Sequence, residues 1–189
     1  MLLCNAVTLI AVNGLAGRLL APTPALATLT ITGYVIGTAL TTLPASYFMR
    51  RFGRRAGFMF GALLGTGGGL LSAFAVHTAD FWLLCLGTLV AGSYNAFGQQ
   101  YRFAAADMAP ADWKPKAISF TLAGGILGGF VGPAIGTLTR NAWDVEFAAT
   151  YASLAGFALI ALLITSRLTI PDAGTAQHRA DGGRPWSGI

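Results

Sequence analysis

Six stretches of this chain contain no Asp, Glu, Lys, Arg or His: residues 1–17, 19–49, 56–76, 81–101, 117–139 and 147–166. An apolar helix needs about 20 residues to cross about 30 Å of hydrocarbon. Five of the stretches reach that length and the first falls slightly short. A soluble domain would need charged helical faces to coat its core, and with only 10% of residues charged there are none to spare. The pattern predicts an all-α, polytopic membrane protein with six transmembrane helices, at about residues 1–17, 26–48, 56–76, 81–103, 116–138 and 147–167. The first stretch, MLLCNAVTLIAVNGLAG, lacks the basic start of a signal peptide and reads as a span shortened at its amino end. Residues 1–168 therefore form one membrane domain. Residues 169–189 have turn formers and charges without an apolar period, which predicts a flexible cytoplasmic tail.

The links between spans are short, so neighbouring helices run antiparallel. With the link that holds Arg50, Arg51, Arg54 and Arg55 placed in the cytosol, ten of the twelve basic residues face inward and only Arg18 and Arg140 face outward. That asymmetry orients the chain with both termini cytoplasmic. The arginines would also anchor their turn at the anionic inner leaflet.

Glycine recurs every four residues in two spans, at Gly57, Gly61, Gly65 and Gly69 and again at Gly124, Gly128, Gly132 and Gly136. Each series lines one helical face. A glycine inside a helix costs about 1 kcal/mol relative to alanine, so such faces are expected to serve close helix–helix approach. Pro133 removes a backbone donor and predicts a bend in the fifth span, either a fixed kink or a site where packing changes between two states.

No carboxylate or lysine lies at membrane depth, which leaves no ionisable relay within these spans. Polar side chains gather instead on the fourth span, where Asn95 and Gln99 share a face. Asn13 and Tyr34 could join them across a cavity. Asn95 could equally be an interhelical hydrogen-bond partner, because buried amides in membrane helices often serve packing. Asp107, just past the fourth span, could face the arginines and latch one conformation shut.

The segment SYFMRRFGRR resembles the motif G-x-x-x-D-R-x-G-R-R of the major facilitator superfamily. Arg51, Gly53, Arg54 and Arg55 match it, Ser46 replaces its first glycine and Arg50 its aspartate. The stretch from Gly128 through Gly132 and Pro133 to Gly136 resembles the family's fifth-helix signature G-x-x-x-G-P-x-x-G-G, with Thr137 in place of the last glycine. PASYFMRRFGRRAGF and YRFAAAD together look most like an uncharacterised bacterial branch. The resemblance implies one half of a twelve-helix carrier in the bacterial inner membrane, with a second six-helix half supplied by another copy or a partner chain. It also implies that Arg50, Arg51, Gly53, Arg54, Arg55 and the substitute acid Asp107 form a cytosolic gate. A small solute would cross by alternating access, any coupling proton being handled in the other half.

Other functions fit less well. GTGGG at residues 65–69 lacks the lysine and hydroxyl ending of a phosphate loop. His77 and Asp80 share a short external turn without a nucleophile or third ligand, so neither an enzyme nor a metal site is expected. No cofactor and no nucleic-acid partner are implied. The rival reading is a non-transporting half that regulates or assembles with another carrier.

Overall fold

The computed structural model describes residues 2–101, 103, 110–140 and 145–167. Six long α-helices run through them: α1 (Leu2–Leu20), α2 (Leu29–Phe52), α3 (Arg54–His77), α4 (Phe81–Gly98), α5 (Lys114–Thr139) and α6 (Ala148–Arg167). The chain is an all-α polytopic membrane protein. Five of its helices are long and apolar enough to cross a bilayer, and α1 adds a shorter apolar stretch, Asn5–Leu20.

The helix ends depart from expectation where arginine is concerned. The turn after the second span was expected to be an arginine loop, yet Arg50 and Arg51 close α2 while Arg54 and Arg55 open α3. Arginine is a good helix former, so a charge run ends an apolar span without ending the helix. The break is Gly53 alone, at φ 85° and ψ 158°. That conformation is open to glycine almost exclusively. At the opposite end, Asp80 caps α4 by accepting from the backbone amides of Trp82 at 2.9 Å and Leu83 at 3.1 Å. This satisfies two of the amides that a helix start leaves unpaired.

Helices α3 and α4 form the centre, with α2 against α4 and α6 against α3, while α5 leans chiefly on α1. The glycine face of α3 does what its spacing predicts. A Cβ at Gly61 would lie 2.5 Å from Phe97 Cβ, one at Gly65 would lie 2.7 Å from the Tyr94 ring, and one at Gly69 would lie 2.9 Å from Ala155. The α2–α4 seam is closer still: a Cβ at Gly37 would fall 2.1 Å from the Leu89 carbonyl oxygen, and one at Gly92 would fall 2.1 Å from that of Tyr34. Backbone packed at this distance is what glycine permits.

The matching series on α5 behaves differently. Gly132 and Gly136 are buried, and a Cβ at Gly136 would meet Thr8 and Val12 of α1 at 3.3 and 3.7 Å. Gly124 faces open space. Within the described residues the series therefore packs at Gly132 and Gly136 but not at Gly124. The helix also continues through Pro133 without interruption.

Helix α1 lies toward the end remote from the arginines. Asn5, near its start, donates to the Leu154 carbonyl in the second turn of α6 at 3.4 Å, Asn13 meets Tyr151, and Gly17 packs on Ala27 and Thr30. Toward the arginine end the bundle opens between α4, α5 and α6.

Candidate solute-binding cleft

The opening is a cleft of about 670 Å³ between α4, α5 and α6, with Ala6 and Ile10 of α1 and Tyr34 of α2 closing its inner end. Tyr94, Asn95, Gly98, Gln99 and Tyr101 line one wall, Phe120, Thr121, Gly124 and Gly125 a second, and Ala161, Ile164 and Thr165 a third. None of these side chains carries a formal charge at neutral pH. A mostly apolar hollow of this size with a few convergent polar groups is the usual form of a small-molecule site.

Three residues singled out from the sequence meet here: Tyr34, Asn95 and Gln99. Asn95 combines both roles considered for it, because it lines the cleft while its Nδ2 lies 3.5 Å from Thr38 Oγ1 on α2. Asn13 does not join them, which corrects the expectation that it faces the cavity. It is fully buried, its Oδ1 accepts from the Tyr151 hydroxyl at 2.6 Å, and its backbone carbonyl accepts from Thr30 at 2.9 Å. Ser93 and Gln100 of the polar face likewise turn to α2, paired with Thr41 at 2.9 Å and Ser46 at 3.0 Å. Amides and hydroxyls on an apolar helix satisfy each other across a seam where they can.

Sequence reasoning missed Tyr94, Phe120, Thr121 and Thr165, which read as ordinary span residues. Only Phe120 had a signal nearby, since it lies four residues before Gly124 and so shares the small-residue face of α5 that stays open at that level. Tyr101 stacks on Phe58 with ring centroids 4.2 Å apart and 12° between planes, which fixes one of its faces and leaves its other side to the cleft.

The arginines that the sequence assigns to a gate flank the Gly53 joint. Arg55 donates from Nη2 to the Ser166 carbonyl at 2.6 Å and so ties the start of α3 to the end of α6. Arg50 and Arg51 are exposed on the last turn of α2. Asp107 and Arg102 lie outside the described residues. Of the fifth-helix signature, Gly132 and Gly136 pack inward while Pro133 is half-buried. His77 is exposed, and Asp80 is occupied as a helix cap. Among the described residues no three His, Cys, Asp or Glu side chains converge as a metal site would require.

The sequence profile of the Major Facilitator Superfamily matches residues 1–189. The chain belongs to the major facilitator superfamily. Among curated members, the riboflavin transporter RfnT of Brucella anthropi is 42% identical over 182 residues, covering 95% of this chain and 46% of that protein. The uncharacterized MFS-type transporter YdeG of Bacillus subtilis is 27% identical over 126 residues, covering 67% of this chain and 29% of that one. The chain thus spans less than half the length of these superfamily members. Among solved structures, the partially occluded inward open form of the xylose transporter XylE from E. coli superposes with a TM-score of 0.77 at 19% identity, over 96% of this chain and 49% of that one. Its inward open form gives 0.76 at 17% identity, over 96% and 50%. At such identities the likeness to XylE establishes the superfamily fold and nothing about the sugar.

Proposed function

We propose that these residues form one six-helix half of a secondary carrier, that a second six-helix half completes the route, and that the solute is a flavin of the riboflavin type. The observation that carries the reading is the uncharged, aromatic and amide-bearing cleft of about 670 Å³. It fits a flat, neutral, hydrogen-bonding ring system. The 42% identity to a riboflavin transporter supports the same class of solute. Transport would proceed by alternating access, with no covalent chemistry on the solute.

The described cleft walls carry no carboxylate, so any coupling proton is assigned to the second half. The seven described basic residues at the Gly53 end, against Arg18 and Arg140 at the other, support a cytosolic Gly53 end and cytoplasmic termini in a bacterial inner membrane. Single cysteines replacing Arg54 and Lys116 should then label from the same face. In the same reading Asp107 latches the arginine cluster, and Asp107→Asn should shift the balance of inward and outward accessibility.

The deciding experiment is riboflavin accumulation in a bacterium that can neither make nor import the vitamin. Expression of the protein together with its second half should restore uptake. A chain that restores none, yet binds another carrier in fixed stoichiometry, would instead be a non-transporting regulatory partner.

A further inference from the structure

Among the described residues, four buried polar side-chain atoms find no hydrogen-bond partner in the protein: Asn5 Oδ1, Asn13 Nδ2, the Tyr34 hydroxyl and Ser72 Oγ. Of their residues only Tyr34 lines the cleft. Its side chain is 4% exposed, so bulk water does not supply the missing bond freely. A buried hydroxyl left unsatisfied is unfavourable, and in native proteins such a group usually answers to a ligand or an ordered water.

The wall around it is stiff. The Tyr34 carbonyl packs against Gly92 and accepts from Thr38 at 3.0 Å, and Thr38 also reaches the Gly92 carbonyl at 3.0 Å. Thr38, one turn along from Tyr34, is the group that the Asn95 amide nitrogen approaches at 3.5 Å. The Tyr34 phenol and the Asn95 carboxamide thus line the same cleft from two helices packed closely along the Gly92 seam. Asn95 lines the cleft, and with its amide nitrogen directed to Thr38 the side chain still has a carbonyl oxygen to offer as an acceptor. Together the two side chains offer a hydroxyl donor beside an amide acceptor.

Adjacent donor and acceptor groups complement an edge that presents a carbonyl next to an N–H. Resting on the flavin reading above, we propose that Tyr34 and Asn95 form the specificity subsite of the cleft, the Tyr34 hydroxyl donating to a ring carbonyl and Asn95 Oδ1 accepting from the neighbouring imide N–H of a flat, uncharged heteroaromatic solute. Phe120, 71% exposed, and Tyr101 lie nearer the mouth and give the rest of such a ring system aromatic surface. A site built to hydrogen-bond a polar edge rejects analogues lacking it more strongly than apolar contact alone can.

The test uses the protein extracted from its own membranes in mild detergent, with any partner retained, and follows quenching of riboflavin fluorescence on binding. Wild type should bind riboflavin more tightly than 3-methylriboflavin, whose imide N–H is blocked. Tyr34→Phe should weaken riboflavin binding about tenfold while leaving the unfolding temperature unchanged, because the hydroxyl bonds nothing in the protein. Asn95→Leu should remove the preference for riboflavin over its methylated analogue. Riboflavin affinity in Tyr34→Phe within about twofold of wild type, or a fall in its unfolding temperature that accounts for the lost binding, overturns the subsite alone. Failure of wild type to bind riboflavin overturns both the subsite and the flavin reading.

Discussion

The Tyr151 hydroxyl donates to Asn13 Oδ1 at 2.6 Å, joining two fully buried side chains on α6 and α1. Thr30 of α2 adds a bond to the Asn13 carbonyl at 2.9 Å. Three helices are thereby tied at the end remote from the arginines, while the cleft opens at the other. The closed end is held by polar bonds because lipid-solvated helices gain little from apolar contact with one another.

Tyr151→Phe should therefore destabilise the folded protein by about 1–2 kcal/mol, since it strips the fully buried Asn13 side chain of its hydrogen bond. Combining it with Asn13→Leu should cost less than the sum of the two single changes, because the second substitution removes the group left unpaired by the first. Reversible unfolding in mixed micelles measures both. Additive losses would mean that the two side chains do not act as a pair.

The α2–α4 seam should be the least forgiving part of the bundle. Gly37→Ala and Gly92→Ala each push a methyl group against a backbone carbonyl oxygen 2.1 Å away, which no side-chain motion relieves. Gly67→Ala and Gly156→Ala place the same methyl where nothing lies within 4 Å. The first pair should abolish the monodisperse peak on fluorescence-detected size exclusion and the second pair should leave it intact. Helix propensity alone would favour all four changes, so the contrast isolates packing.

The spans were legible because the membrane imposes one requirement on every helix, a long uncharged run, and charge gaps reveal it directly. What covers each helix was not. The α3 and α5 glycine series have the same spacing, yet Gly61 meets Phe97 and Gly124 meets nothing. Spacing reports which face is small, and only the tertiary arrangement reports what lies opposite. The amides show the same limit: Asn13 and Asn95 look alike along their helices, but Asn13 is claimed by a tyrosine 138 residues away. Tyr34 was nameable as a polar aromatic in an apolar span, whereas its missing hydrogen-bond partner is a property of the packed wall.

Gly53 should resist every substitution, including the one that ordinarily rescues positive φ. Its φ of 85° is shared by left-handed turns, but its ψ of 158° is not. Asparagine tolerates the left-handed helical region near ψ of about 47° and gains nothing here. Gly53→Ala and Gly53→Asn should thus lose similar stability, about 1–3 kcal/mol each, read from thermal unfolding. A clear advantage for asparagine would show that the α2–α3 joint can relax into an ordinary turn.

Under the flavin reading proposed above, the uncharged cleft wall should also set which flavin is accepted. Riboflavin and its 5′-phosphate share the ring system and differ by a phosphate, which in the cleft would meet Thr121, Gln99 and aromatic faces but no cation among the described lining residues. Bringing an unpaired dianion into that setting forfeits its hydration without compensation. In vesicles that accumulate labelled riboflavin, the phosphate should compete at least about a hundredfold less well than unlabelled riboflavin, a gap of about 2.7 kcal/mol. Gln99→Arg supplies the missing charge and should narrow that gap while weakening riboflavin itself, because an unpaired guanidinium is then present when the solute is neutral. Equal competition by the two flavins in wild type would overturn the uncharged site, and an unchanged ratio in Gln99→Arg would remove Gln99 from the solute's path.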